Sequence, residues 1–206
     1  MTLHSTRPSR HAATDVSVEW VAAGMRVVAD IHLVTTEIER RRAFGSLGAG
    51  LDHLDTLRFL LTLPIGEAVP ARGLTPYEAR LASRAVAARF GRMERSHTRA
   101  AAFVRLAHPP VHVDLITVHG PATERTLRET TRFAPYAARR MHTPRPVGSA
   151  LMIEARYYGV GVTVADIGGG HDILDPAPFT PARYTAASWQ FAERAYSRLA
   201  GVDQPR

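Results

Sequence analysis

The sequence predicts an α+β domain in which a helical N-terminal half is followed by a small sheet, in the order strand, helix, strand, strand, helix. Three observations predict it: apolar residues recur at helical spacing early in the chain, a capping signature at Thr75 opens a long amphipathic segment, and β-branched alternation is concentrated in the second half. Residues 1–14 and 202–206 read as polar tails. The folded part is then a single domain over 15–201, a length that suits one core.

In chain order, Val27, Ile31, Val34 and Ile38 fall at i, i+4, i+7 and i+11, a helical stripe within about 15–44. Val16, Val18 and Trp20 alternate, which leaves a strand open at its start. Gly45, Gly48 and Gly50 end this helix, and a second follows over about 51–63, closed by Pro64. Thr75-Pro76-Tyr77-Glu78 is a helix start: the Thr75 hydroxyl can cap, Pro76 suits the first turn, and Glu78 can reach back. That helix is predicted to run to His108, where Pro109-Pro110 stops it, with Gly91 as a kink or division. Val111–Val118 alternates as a strand, and Pro121 opens a helix that Pro135 bends and Pro144 ends. Leu151, Ile153, Ala155 and Tyr157 keep odd register, Val160, Val162 and Val164 even register, and the switch at Gly159 predicts two strands joined there. After the Gly168–Gly170 loop and His171, Thr180-Pro181 begins a last helix with Tyr184, Ala187, Phe191, Ala195 and Leu199 as its stripe and Gly201 as its cap.

All 26 basic residues are arginine, and neither lysine nor cysteine occurs. That excludes a thiol nucleophile, Cys-ligated zinc, a disulfide, a Schiff-base lysine and a P-loop. The net charge of +7 points toward nucleic acid or another acidic partner. An arginine-only, alanine-rich chain is also what a GC-rich bacterial genome produces, so the position of the arginines carries more than their number. No apolar run approaches the ~18 residues of a membrane span, and the N-terminus has no apolar signal region. The expectation is a cytoplasmic protein with no membrane contact, for which a homo-oligomer is open.

Projected as one helix at about 100° per residue, Arg80, Arg84, Arg92, Arg95 and Arg99 occupy a single arc opposite Val86, Phe90, Met93, His97 and Val104. Five guanidinium groups on one face suit phosphate, which arginine grips in bidentate fashion. A solvated surface face is the plain alternative.

Histidine and carboxylate positions offer a metal site. His112 and Asp114 share a strand face, and His171 could add a third ligand. His-x-Asp followed by a distant His resembles the facial triad of iron(II), 2-oxoglutarate-dependent oxygenases, a resemblance that would give Arg183 the 2-oxoglutarate carboxylate. Asp114 with Glu154 is similar to the carboxylates of restriction-endonuclease-like nucleases, which hold Mg²⁺. Arg156 stands where those enzymes have a lysine, and arginine does not readily release its proton. The sequence therefore leads to an accessory or regulatory binding protein that contacts nucleic acid or an acidic partner through an arginine-rich helix. The alternative is a metal-dependent oxygenase or nuclease with a divalent ion at His112, Asp114, Glu154 and His171.

Overall fold

A computed structural model of the chain describes residues 15–45, 50–95, 100–166, 170–181 and 183–201. Strands come first: β1 (Asp15–Ala22) and β2 (Met25–Leu33) form an antiparallel hairpin. Its two-residue turn places Ala23 at φ 51° and Gly24 at φ 76°. Positive φ at both positions matches the right-handed twist of the strands it joins. The expected helical N-terminal half is thus corrected to a hairpin followed by helices. Val27 and Ile31 are four apart, a spacing that a strand face shares with a helix face, and both are buried at 1% exposure beside Met25 and Ala29.

Helices α1 (Thr35–Ala43) and α2 (Leu54–Leu61) follow. Strand β3 (Ala68–Pro70) and a 3-10 turn (Ala71–Gly73) lead to helix α3 (Pro76–Ala87), and strands β4 (Gly91–Arg95) and β5 (Ala101–Arg105) complete this middle unit. The capping box at Thr75 forms as read, with Thr75 N–H donating to Glu78 at 2.8 Å and Glu78 N–H donating to Thr75 Oγ1 at 3.2 Å. The helix does not reach His108. It closes in a Schellman turn, Phe90 N–H bonding the Ala85 carbonyl at 2.8 Å with Arg89 at φ 61°, and the chain reverses into β4. Strands β3, β5 and β4 pair in that order beside a core of Leu57, Phe59, Leu60, Leu81, Phe90, Phe103 and Trp189.

The main sheet is completed by β6 (Val111–His119), β7 (Ala138–Thr143), β8 (Val160–Val164) and β9 (His171–Leu174), in the order β1-β2-β6-β7-β8-β9. Pairs β6/β7 and β7/β8 are parallel and the others antiparallel, so the molecule is mixed α/β with a six-stranded sheet. Helix α4 (Glu124–Thr131) crosses from β6 to β7, and α5 (Ser149–Tyr157) from β7 to β8. Residues 151–157 are therefore helix and not strand. Their alternation does not reflect a buried face, since Ile153 and Tyr157 are 71% and 82% exposed while Ala155 alone is buried. Gly159, at φ 66°, follows the C-cap of α5 and lies just ahead of β8. Helix α6 (Ala186–Leu199) begins at Thr185, five residues after the expected start, and ends before Gly201 at φ 70°.

Helices α4, α5 and α6 all pack on one face of the main sheet, against Val18, Val27, Ile31, Ile116, Val118, Met141, Val160 and Val162. Among the described residues no helix is laid across the opposite face. The middle unit joins the sheet through α1 and α6 by a buried ionic cluster. Arg41 donates Nε to Glu37 Oε1 at 2.8 Å, and its Nη1 and Nη2 to Glu193 Oε2 and Oε1 at 2.9 and 2.7 Å. Trp189 Nε1 donates to Glu193 at 2.9 Å, and Arg40 holds Glu37 at 2.6 and 2.7 Å. Glu37, Arg41 and Glu193 are each 1% exposed, and burial without these partners would be prohibitive.

Candidate functional site

The structure distributes the arginine stripe over two elements. Arg80 and Arg84 lie one turn apart on α3, while Arg92 and Arg95 belong to β4, the edge strand beside it; Arg99 lies outside the described residues. The single helical arc is thereby corrected, because the reversal at Arg89 and Phe90 ends the helix before the third arginine. All four described members are exposed. Arg92 pairs with Glu94 at 3.0 Å and Arg80 lies 5.6 Å from the Tyr77 ring centroid, whereas Arg84 and Arg95 have no ion-pair partner among the described residues.

Charge is unevenly shared between the two parts of the molecule. Residues 35–107 hold 12 arginines against 7 acidic residues, a balance of 12 − 7 = +5, and the rest of the chain holds 14 against 12, or +2. Two of the 12, Arg41 and Arg105, are buried, Arg41 against Glu37 and Glu193 and Arg105 against the carbonyls of Leu60, Leu63 and Ala107.

The metal candidates do not converge. His112 and Asp114 lie on β6, and His171 on β9, three strands away across the sheet and so about 14 Å to the side. Asp114 is also five residues before His119, whose row runs through His142 and Thr163 to Asp172, which adds about 16 Å along the strand. Ligand bonds near ~2.0–2.2 Å cannot span that gap. Glu154 sits exposed on α5, lining a shallow cleft with Glu124 and Arg128 of α4, and Arg156 is exposed on the same helix. Arg183 is exposed ahead of α6. Among the described residues no three His, Asp or Glu side chains form a metal-binding group. Asp114 Oδ2 instead lies 2.8 Å from Nε2 of His32 on the neighbouring strand β2.

Sheet pairing assembles a polar row that sequence reading missed. Arg26, His119, His142, Thr163 and Asp172 are successive cross-strand neighbours on the face without helices, at the carboxyl ends of β6, β7 and β8. Ligands of open α/β sheets bind outside those strand ends. The His119 and His142 rings lie 4.6 Å apart. Arg26 holds Glu19 through two bonds of 2.6 and 2.8 Å, Arg140 approaches Asp172 at 3.3 Å, and Thr163 donates its hydroxyl to Asp172. Burial lowers the His119 pKa from the ordinary 6.5, and the neighbouring His142 and Arg26 push it the same way. The lowered pKa favours the neutral form of His119, and Arg26 and Arg140 each face a carboxylate. The signal for this row lay in long-range strand pairing, which no local window of sequence displays.

Comparison with protein-family models, with curated proteins and with solved structures finds no match. Among the described residues no helix is long and apolar enough to cross a membrane.

Proposed function

We propose that the protein is an accessory or regulatory nucleic-acid-binding protein whose phosphate-contacting surface lies on the middle unit, residues 35–107. The observation that supports this reading most is the concentration of five of the seven net positive charges there, with Arg80, Arg84, Arg92 and Arg95 exposed on α3 and β4. Guanidinium forks match the geometry of phosphate oxygens, and a static excess of exposed arginine is what releases counterions from a polyanion. No tyrosine, tryptophan or phenylalanine on these two elements offers more than Tyr77 for base stacking, so the reading is of backbone contact and not of sequence readout.

Fluorescence anisotropy with labelled single- and double-stranded oligonucleotides, titrated at about 50 and 200 mM salt, tests it. Affinity should fall steeply with salt, and replacing Arg80, Arg84, Arg92 and Arg95 together by alanine should reduce the log–log slope by up to about four. Absence of binding at the lower salt, or a slope unchanged by the four substitutions, overturns the reading. Retention of polyglutamate without affinity for DNA or RNA would move it to an acidic protein partner.

A further inference from the structure

A cavity of about 250 Å³ lies at the start of β6, the opposite end of that strand from His119. Its walls come from four places in the chain: Val111–Asp114, Tyr136 ahead of β7, Phe179 and Tyr184 on the approach to α6, and Ser188 and Phe191 in the first turns of that helix. Four of the lining residues are aromatic, one is a carboxylate, and none is arginine. In a chain with 26 arginines and a net charge of +7, a lining of that kind is an exception to the surrounding surface.

Asp114 stands there through a deliberate irregularity of the sheet. Asp30 pairs with Leu115 and Ile31 with Val113, so Asp114 is the extra residue of a β-bulge. Bulges re-aim a side chain and recur beside binding sites. The Asp114 carboxylate Oδ2 lies 2.8 Å from His32 Nε2, an ion pair when the imidazole is protonated, and the Asp114 side chain remains 50% exposed. Around it, Tyr136 stacks on Phe191 at 4.5 Å with 7° between the rings, and Phe191 is braced edge-on by Trp20 and Phe133. The Tyr136 and Phe191 part of the aromatic wall is therefore braced by its own packing. Ring faces carry negative charge density, and aromatic rings with an adjacent carboxylate attract a cation. The positive field of the rest of the protein is screened beyond ~8–10 Å at physiological salt, so it does not cancel that attraction at close range.

We infer that this cavity binds a small organic cation, an ammonium or methylated ammonium carrying an apolar or aromatic group, with Asp114 as its counter-ion and Tyr136, Tyr184, Phe179 and Phe191 as its aromatic walls. The volume is smaller than the sites of drug-sized ligands, which run from ~300 Å³ upward, and it suits a single ring with a charged head.

Benzyltrimethylammonium is the probe, titrated into the full chain by calorimetry and by nuclear magnetic resonance, with benzoate and benzyl alcohol as anionic and neutral counterparts. The cation should bind saturably and at least about tenfold more tightly than either counterpart. Asp114→Asn, which keeps the side-chain shape, should weaken it by about tenfold, and Tyr184→Leu by roughly two- to thirtyfold. Unchanged unfolding midpoints would show that both variants remain folded. Benzoate or benzyl alcohol binding as well as the cation, no saturation by about 10 mM, or a cation affinity indifferent to both substitutions in folded protein would overturn the assignment.

Discussion

Replacing Glu193 by alanine removes the carboxylate that receives two bonds from Arg41, at 2.7 and 2.9 Å, and one from the Trp189 indole at 2.9 Å. Arg41 is 1% exposed; it would keep its 2.8 Å bond to Glu37 and lose both of its bonds to Glu193. Breaking one side of a buried ion pair costs about 3–5 kcal/mol, because the other charge stays buried and uncompensated. That is a large share of the ~5–15 kcal/mol by which domains are stable. In a chain of this length about 2–4 °C of melting temperature accompanies each kcal/mol, so the midpoint should fall by roughly 6–20 °C. Thermal unfolding followed by circular dichroism measures it. Glu193→Gln, which retains one acceptor oxygen, should cost less than the alanine variant. Combining Arg41→Met with Glu193→Leu should cost clearly less than the sum of the two single changes, since neither charge is then stranded. A loss below about 1 kcal/mol for Glu193→Ala would refute the view that this cluster holds α1 to α6. Within this cluster Glu37 sets an acid limit, whereas burial outweighs Arg41 and Trp189 at Glu193 and raises its pKa. Burial pushes the Glu37 pKa up, but Arg40 and Arg41 together outweigh it and hold Glu37 below its ordinary 4.5. Its contribution is therefore complete above 4.5 and is lost as pH falls through the lower folded value.

Two further outcomes follow from the packing. His119 is depressed below 6.5 by burial, then by His142 and Arg26, so its contribution to stability is present above 6.5 and is lost as pH falls through the folded value. A pH series of unfolding midpoints should decline on the acid side of 6.5, and His119→Asn should flatten that decline; an imidazole resonance of His119 titrating at or above 6.5 contradicts the account. Gly91→Ala would place a methyl 2.3 Å from Phe103 Cζ and 3.0 Å from the Val104 carbonyl, with Phe103 fully buried against Phe59. The strain should cost about 1–3 kcal/mol in urea unfolding, and an unchanged midpoint would show that the β4/β5 pair yields more easily than its packing implies.

The two proposed surfaces differ in how they arise from the chain. The arginines of α3 are neighbours on one helix and could be counted from spacing, but their continuation onto β4 depends on where α3 stops. It stops with Arg89 in a left-handed conformation that usually calls for glycine, and the signal the sequence does offer, Gly91 as a kink or division, lies two residues further on. The cavity draws on residues from 111 to 192, and Asp114 is the bulged residue between β2 and β6, strands separated by the whole of the middle unit. The sequence offers Asp114 as a metal ligand beside His112 on one strand, with His171 as a third. Its partner is His32, not His112 or His171, because cross-strand register and not proximity along the chain selects neighbours in a sheet.

By itself the sequence determined what depends on adjacent residues and side-chain chemistry. The capping box at Thr75, strand β6, the turn residue Gly201, the exclusion of lysine and cysteine chemistry, and the charge of the middle unit were all legible there. Tertiary structure alone decided the rest. Residues 25–33 and 151–157 each carry apolar spacings that both a strand and a helix can satisfy; pairing with β1 and β6 makes 25–33 a strand, whereas 151–157 forms the helix between β7 and β8, with Ala155 in the core beside Val160 and Val162. The histidine row, the ionic joint at Glu193 and the aromatic cavity exist only once distant segments meet, because pairing and burial are properties of the assembled core and not of any short stretch that enters it.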